Sequence, residues 1–157
     1  MGTAADRDGR GSGDLPPSVL VERTGFLLSA LGRACRDATG RALEPLGIKP
    51  HHYGVLVVLD AVGSATQHAV GARLGIDKSS MTVVVDRLEG LGFVERRRNP
   101  ENRRAYELGL TEAGRDAIAR AEPLVARVEE AALARLDGEE RAHLHALLVK
   151  LLPGPER

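Results

Sequence analysis

Between Leu20 and Leu46, apolar residues recur at intervals of three and four: Leu20, Leu27, Leu28, Leu31, Cys35, Ala38, Ala42 and Leu46. That spacing draws one stripe along a helix, which Pro45 and Gly47 are expected to end. Pro50 suits the first position of a second helix, and Gly63 closes it. The unbroken apolar run at 55–59 predicts burial nearly all round. Two shorter helical segments follow. One covers about 66–74 and stops at Gly75; the other opens at Asp77, a good N-cap, and runs to Gly90. In the latter, Met81, Val84, Val85 and Leu88 form the inward stripe. Ser79, Thr82, Val83 and Asp86 lie on the opposite face, with Ser80 and Arg87 at its flanks.

Past Gly92 the pattern changes to strands: FVERRR and AYELGL, with NPENR as the turn between them. A long helix is expected near Thr111-Glu112. Another begins at Asp137-Gly-Glu-Glu and is stopped by Pro153. Residues 1–18 are Gly, Asp, Arg, Ser and Pro with little to bury, so a disordered tail is expected there. The predicted order is helix, helix, helix-turn-helix, β-hairpin, long helix, helix, with no internal repeat.

Composition narrows the fold. The chain has 157 residues, 43% hydrophobic but only 3% aromatic, so its core is built from Leu, Val and Ala in one domain-sized unit. No run of about 18 apolar residues occurs, and the N-terminus lacks an apolar signal-like segment. A cytoplasmic location is therefore expected. The single cysteine, Cys35, excludes an intrachain disulfide framework and a cysteine-based zinc knuckle. Net charge is zero, which argues against a protein that coats nucleic acid through overall charge and leaves room for a local basic patch. Lysine occurs only at Lys49, Lys78 and Lys150, so arginine is general in this chain and its placement matters more than its number.

Placement favours DNA. A short helix, a Gly-containing turn and a second helix form a helix-turn-helix, whose second helix can enter the major groove. On its outward face Ser79, Ser80 and Thr82 can donate to phosphates or accept from base edges. Val83 is confined to apolar contact, and Lys78 with the helix N-terminus favours phosphate. Such a face is also an ordinary exposed helix surface, so the next segment decides. Arg96, Arg97, Arg98, Arg103 and Arg104 oppose one acid, Glu101, across 96–104. A basic hairpin tip directly after a helix-turn-helix is a wing suited to the minor groove. Arg103 is the first choice for the groove with Arg98 beside it, while Arg96 or Arg104 is free to pair with Asp86 or Glu95 and hold the wing.

The segment LGIDKSSMTVVVDRLEGLGFVERRRNPENRRAYELGLTEAG resembles the winged helix-turn-helix of MarR transcriptional regulators. The elements carrying the likeness are Asp86-Arg87-Leu88-Glu89, Gly92-Phe93-Val94-Glu95-Arg96, Arg103-Arg104 and Leu110-Thr111-Glu112-Ala113-Gly114. The resemblance covers roughly 19–152. It implies a mainly α fold with a small β-hairpin wing, a DNA-binding lobe at about 50–110 and dimerisation helices at about 19–46 and 111–152. It also implies a homodimer on a pseudo-palindromic operator, usually a repressor released by a small molecule or an oxidant. Asn102 stands where the family usually has Asp, which removes a carboxylate that would fix a wing arginine. Val83 stands where relatives are often polar or basic.

Dimerisation has support from the residues themselves. Stripes at Ala117, Leu124, Val125 and Val128, at Leu144, Leu147, Leu148 and Leu151, and at Leu20, Leu27 and Leu28 exceed what one small core can cover. For signal input, a pocket around Leu27, Leu31, His51 and Tyr53 is expected by family analogy to take an aromatic acid or similar ligand. Cys35 offers a redox alternative, although it lies on the apolar stripe and suits a small buried hydrophobe. His51-His52 and His143/His145 do not share helix faces, so no metal or other cofactor is expected. A winged-helix module for protein–protein contact is the remaining alternative. Enzymatic activity is not expected, since no Gly-rich phosphate loop, nucleophile elbow or HExxH motif is present.

Overall fold

The computed structural model describes residues 18–98 and 106–152. In chain order these form α1 (Ser18–Val21), α2 (Thr24–Leu43), a 3-10 turn (Glu44–Leu46), α3 (Pro50–Val62), β1 (Ser64–Thr66), α4 (Gln67–Leu74), α5 (Lys78–Gly90), β2 (Val94–Arg98), β3 (Tyr106–Leu110), α6 (Glu112–Ala132) and α7 (Gly138–Leu151). The fold is mainly α with a small antiparallel sheet, a winged helix-turn-helix carrying additional helices on both sides in sequence.

Contacts divide the chain after Ala34. Among its described residues the first unit holds α1 and the start of α2, and its apolar side chains are largely exposed, Leu31 at 62%. The expected continuous stripe from Leu20 is interrupted: α1 ends at Val21, and a turn in which Arg23 N–H donates to Leu20 O at 3.1 Å precedes α2. The second unit, from Cys35, contains the core. Pro45 sits in the 3-10 turn, and Gly47 takes φ +68° behind it, a conformation that favours glycine.

The core forms where α3, α4, α5, the sheet and the first turns of α6 converge. Leu56, Leu59, Val70, Met81, Leu88 and Leu108 are essentially fully buried there. The predicted stripe Met81, Val84, Val85 and Leu88 faces inward in full. Burial of α3 is less complete than its apolar run suggested: Val55, Leu56 and Leu59 are buried, but Val57 is 39% exposed. A second cluster of Leu43, Ile48 and Ala121 fastens the end of α2 to α6.

The sheet has three strands in the order β1-β3-β2, one more than the expected hairpin. The extra strand β1 is three residues long and pairs with β3 in the register Ser64↔Gly109, Ala65↔Leu108 and Thr66↔Glu107. Ser-Ala-Thr carries no alternating pattern, so this strand owes its existence to the partner edge offered by β3. The turn expected at NPENR lies wholly outside the described residues.

The start of α6 is packed without slack. Thr111 caps the helix, its Oγ1 accepting from Gly114 N–H at 3.0 Å. The same hydroxyl lies 2.6 Å from Gly92 O and 3.1 Å from Phe93 O, donating its one proton between them. A Cβ on Gly114 would stand 2.2 Å from Phe93 O and 2.7 Å from Leu110 Cδ1.

At the other end of the lobe, the buried ring of His52 caps α3 from within. Its Nδ1 accepts the Lys49 N–H at 3.0 Å, which requires the neutral form. Burial, then the neighbouring His51, Lys49 and Arg87, lower the His52 pKa to about 4.

Two expectations follow. Gly114→Ala destabilises the protein by about 3 kcal/mol, since the clash is with backbone that cannot step aside; urea unfolding measures this, and an unchanged midpoint contradicts the packing. For His52 the folded pKa lies below the unfolded value of 6.5, so its contribution is complete above pH 6.5 and is lost as pH falls toward 4. The loss at pH 5 is up to about 2 kcal/mol. Unfolding of wild type and His52→Gln at pH 7 and pH 5 checks this, with the variant showing the flatter pH response.

Candidate nucleic-acid interface

Asp77 sets the start of α5. Its Oδ1 accepts from the N–H groups of Ser79 and Ser80, both at 3.0 Å, and its Oδ2 accepts the Ser80 hydroxyl at 2.6 Å. These bonds, the Ser80 hydroxyl first, hold the Asp77 carboxyl below its ordinary pKa. The charge stabilises the helix end through the dipole as well as the bonds. With the apolar stripe anchored inward, Lys78, Ser79, Thr82, Val83 and Asp86 are exposed together, Val83 at 70%.

Two of the hydroxyls expected to donate to phosphates are already engaged. The Ser80 proton goes to Asp77. Thr82 Oγ1 lies 3.0 Å from Lys78 O, to which it donates, and accepts from Gln67 Nε2 at 2.9 Å. Both side chains are thereby left as acceptors, because a hydroxyl carries only one proton. The sequence reading missed Gln67, which sits on α4 and has no periodic or motif signal. Arg87, expected at the flank, extends to the loop before α3, its guanidinium 3.4 Å from Gly47 O.

The wing is joined to α5 by charge. Arg96 on β2 donates to Asp86 Oδ1 at 2.6 Å and also to Glu89, both on α5. The Asp86 bond, followed by Coulomb attraction from Glu89 and Asp86, raises the Arg96 pKa above its usual value against the desolvation of a part-buried group. This is the pairing with Asp86 that the sequence allowed, with Glu89 added. Arg97 pairs with Glu95 and lies across Gly109, where an added Cβ would stand 3.5 Å from its Cζ. Arg98 ends β2, exposed, with no ion pair among the described residues. Arg103, Arg104 and Asn102 lie outside the described residues.

The four residues expected to form a ligand pocket are distributed over the two units. Leu27 and Leu31 lie in the first, both exposed. His51 and Tyr53 lie in the second, exposed and half-buried; burial lowers the His51 pKa and raises that of Tyr53. His51 also lines a cleft of about 690 Å³ with Arg36, Arg41 and Lys49, accompanied by Asp37 and Glu44. Cys35 is half-buried and lines a groove of about 700 Å³ with Leu144 and Leu148 of α7. Of the α6 stripe, Ala117 is buried in the core, while Leu124, Val125 and Val128 are half-buried. No residue of α7 is buried. No helix of the described residues is long and apolar enough to cross a membrane.

Comparison with known proteins gives a consistent set of likenesses. The family model described as MarR family matches residues 46–105. A relative from Thauera aromatica, named for transcriptional regulation of the hcr operon, is 37% identical over 105 residues. That match takes in 67% of this chain and 63% of the relative, so the chain spans somewhat under two thirds of that protein's length. Among solved structures, the transcriptional repressor CouR bound to a 23-mer DNA duplex is 31% identical, with a TM-score of 0.81 over 88% of this chain and 98% of that one. CouR bound to p-coumaroyl-CoA is 29% identical, with a TM-score of 0.77 over 88% and 97%.

Arg96→Ala is expected to cost about 1 kcal/mol, the upper end for a partly exposed ion pair that here engages two acids. Amide hydrogen exchange in β2 should accelerate more than in α3. Equal protection in wild type and variant would show that the clamp does not hold the wing.

Proposed function

This chain belongs to the MarR family of transcriptional regulators, and on that premise we propose that it is a homodimeric, ligand-responsive repressor of a pseudo-palindromic operator. The observation that carries the DNA-binding mode is the two-sidedness of α5. Its apolar stripe is locked in the core, and its small polar face is exposed beside a basic wing. The groove contacts are assigned to Lys78, Ser79, Ser80, Thr82 and Val83 on α5, with Arg87 at its flank. Arg98, Arg103 and Arg104 on the wing reach the minor groove and the adjacent phosphates.

Dimerisation rests on exposed apolar surface. Leu147, Leu148 and Leu151 on α7, and Leu20, Leu27 and Leu28 in the first unit, are each more than a third exposed. Faces of this kind are covered in a stable protein. The helices at about 19–46 and 111–152 are assigned to the dimer and the residues at about 50–110 to DNA. A two-fold dimer sets its two recognition helices about one DNA turn apart.

A small-molecule effector is supported by the CoA ester held by CouR. Within the second unit, the cleft lined by His51, Arg36, Arg41 and Lys49 is the place assigned to an aromatic acid or similar ligand.

Mobility-shift titrations over a salt series test the DNA-binding mode. Affinity should fall steeply with salt, and Arg98→Ala and Arg103→Ala should each weaken binding about tenfold and reduce the log–log salt slope by about 1. Unchanged affinity and slope in both variants would remove the wing from the interface.

A further inference from the structure

Within the face assigned to DNA, a chain of hydrogen bonds crosses from the first helix of the helix-turn-helix to the second. Gln67 is the first residue of α4. Its Nε2 donates to Thr82 Oγ1 at 2.9 Å, and that hydroxyl donates to Lys78 O at 3.0 Å, one turn back on α5. The cap of α4 is made separately by Thr66, whose Oγ1 accepts from Ala69 N–H at 3.2 Å. The Gln67 amide is therefore not needed to begin its own helix.

A hydroxyl has one proton and two lone pairs. In Thr82 the proton is committed to Lys78 O, and one lone pair is filled by Gln67. The exposed side chain is left with one lone pair and a methyl group, and without a donor. Without the amide, the second lone pair reopens and only the bond to Lys78 O still holds the hydroxyl, so a base acceptor can compete with that carbonyl for the proton. It then presents either a donor or an acceptor outward.

The major-groove edges of the bases differ in this respect. Adenine N6 and cytosine N4 donate, whereas guanine N7 and O6 and thymine O4 accept. We propose that Gln67 sets base preference by holding Thr82 as a hydrogen-bond acceptor, favouring adenine or cytosine where Thr82 meets the groove. Gln67 is thus a positioning residue that acts through Thr82. The inference rests on the reading that α5 enters the major groove.

The test measures binding of wild type, Gln67→Met, Thr82→Val and the double variant to an operator recovered from random DNA, and to its single-base variants. Methionine keeps helix propensity and side-chain length without the amide, and thermal unfolding of each variant verifies the fold. Wild type should discriminate adenine or cytosine from guanine or thymine about tenfold at one position of each half-site. Gln67→Met should reduce that to about twofold and leave the other positions unchanged. Thr82→Val should remove the discrimination, and adding Gln67→Met to it should change nothing further. The inference is overturned if Gln67→Met weakens every sequence equally with discrimination intact, or if the two substitutions act independently. A wild-type protein that recovers no preferred sequence would defeat the groove reading itself, a result distinct from selective binding that ignores Gln67.

Discussion

Where α6 begins, the backbone of Gly114 passes so near Phe93 O that no side chain fits between them. The same carbonyl accepts the Thr111 N–H at 3.1 Å and lies within reach of the Thr111 hydroxyl. One residue thereby receives the entry to β2, the exit from β3 and the first turn of the long helix. Phe93 N–H in turn donates to Leu88 O at the end of α5. The direction of the recognition helix, the root of the wing and the axis of α6 are all set at this junction.

Charge does the remaining work of orientation. The cluster of arginines that marks the wing is not uniform: Arg96 is turned back onto Asp86 and Glu89, and Arg97 is neutralised by Glu95. Arg98 ends its strand exposed. Zero net charge is compatible with a local basic surface on these terms, because acids hold Arg96 and Arg97 while Arg98 stays exposed. The pairs are partly exposed and individually modest. Their value lies in fixing which arginines face outward.

Much of this was legible in the sequence where local rules and burial agree. The stripe of α5, the Asp77 cap, the Gly75 stop and the Thr111 helix start are recorded in residues a few positions apart, so pattern alone finds them. The pairing of Arg96 with Asp86 was available because strand and helix were both placed correctly. What escaped depends on distant partners. β1 has no pattern of its own and exists through β3. Gln67 meets Thr82 fifteen residues later, and nothing in either residue announces it. The hydroxyls of Ser80 and Thr82 looked free in sequence because commitment of a single proton is a matter of geometry. Likewise, the Gly of Leu-Thr-Glu-Ala-Gly was visible as a motif element, yet the contact that demands glycine was not.

The central claim is that the exposed face of α5 and the wing, carried twice on a two-fold dimer, read DNA. Selection of bound duplexes from a random pool by the full-length protein, followed by sequencing, tests it most directly. The account predicts enrichment of two related half-sites in inverted orientation, their centres about 10 base pairs apart. A pool that remains random after repeated selection would contradict it and leave the basic wing as a surface for an acidic protein partner.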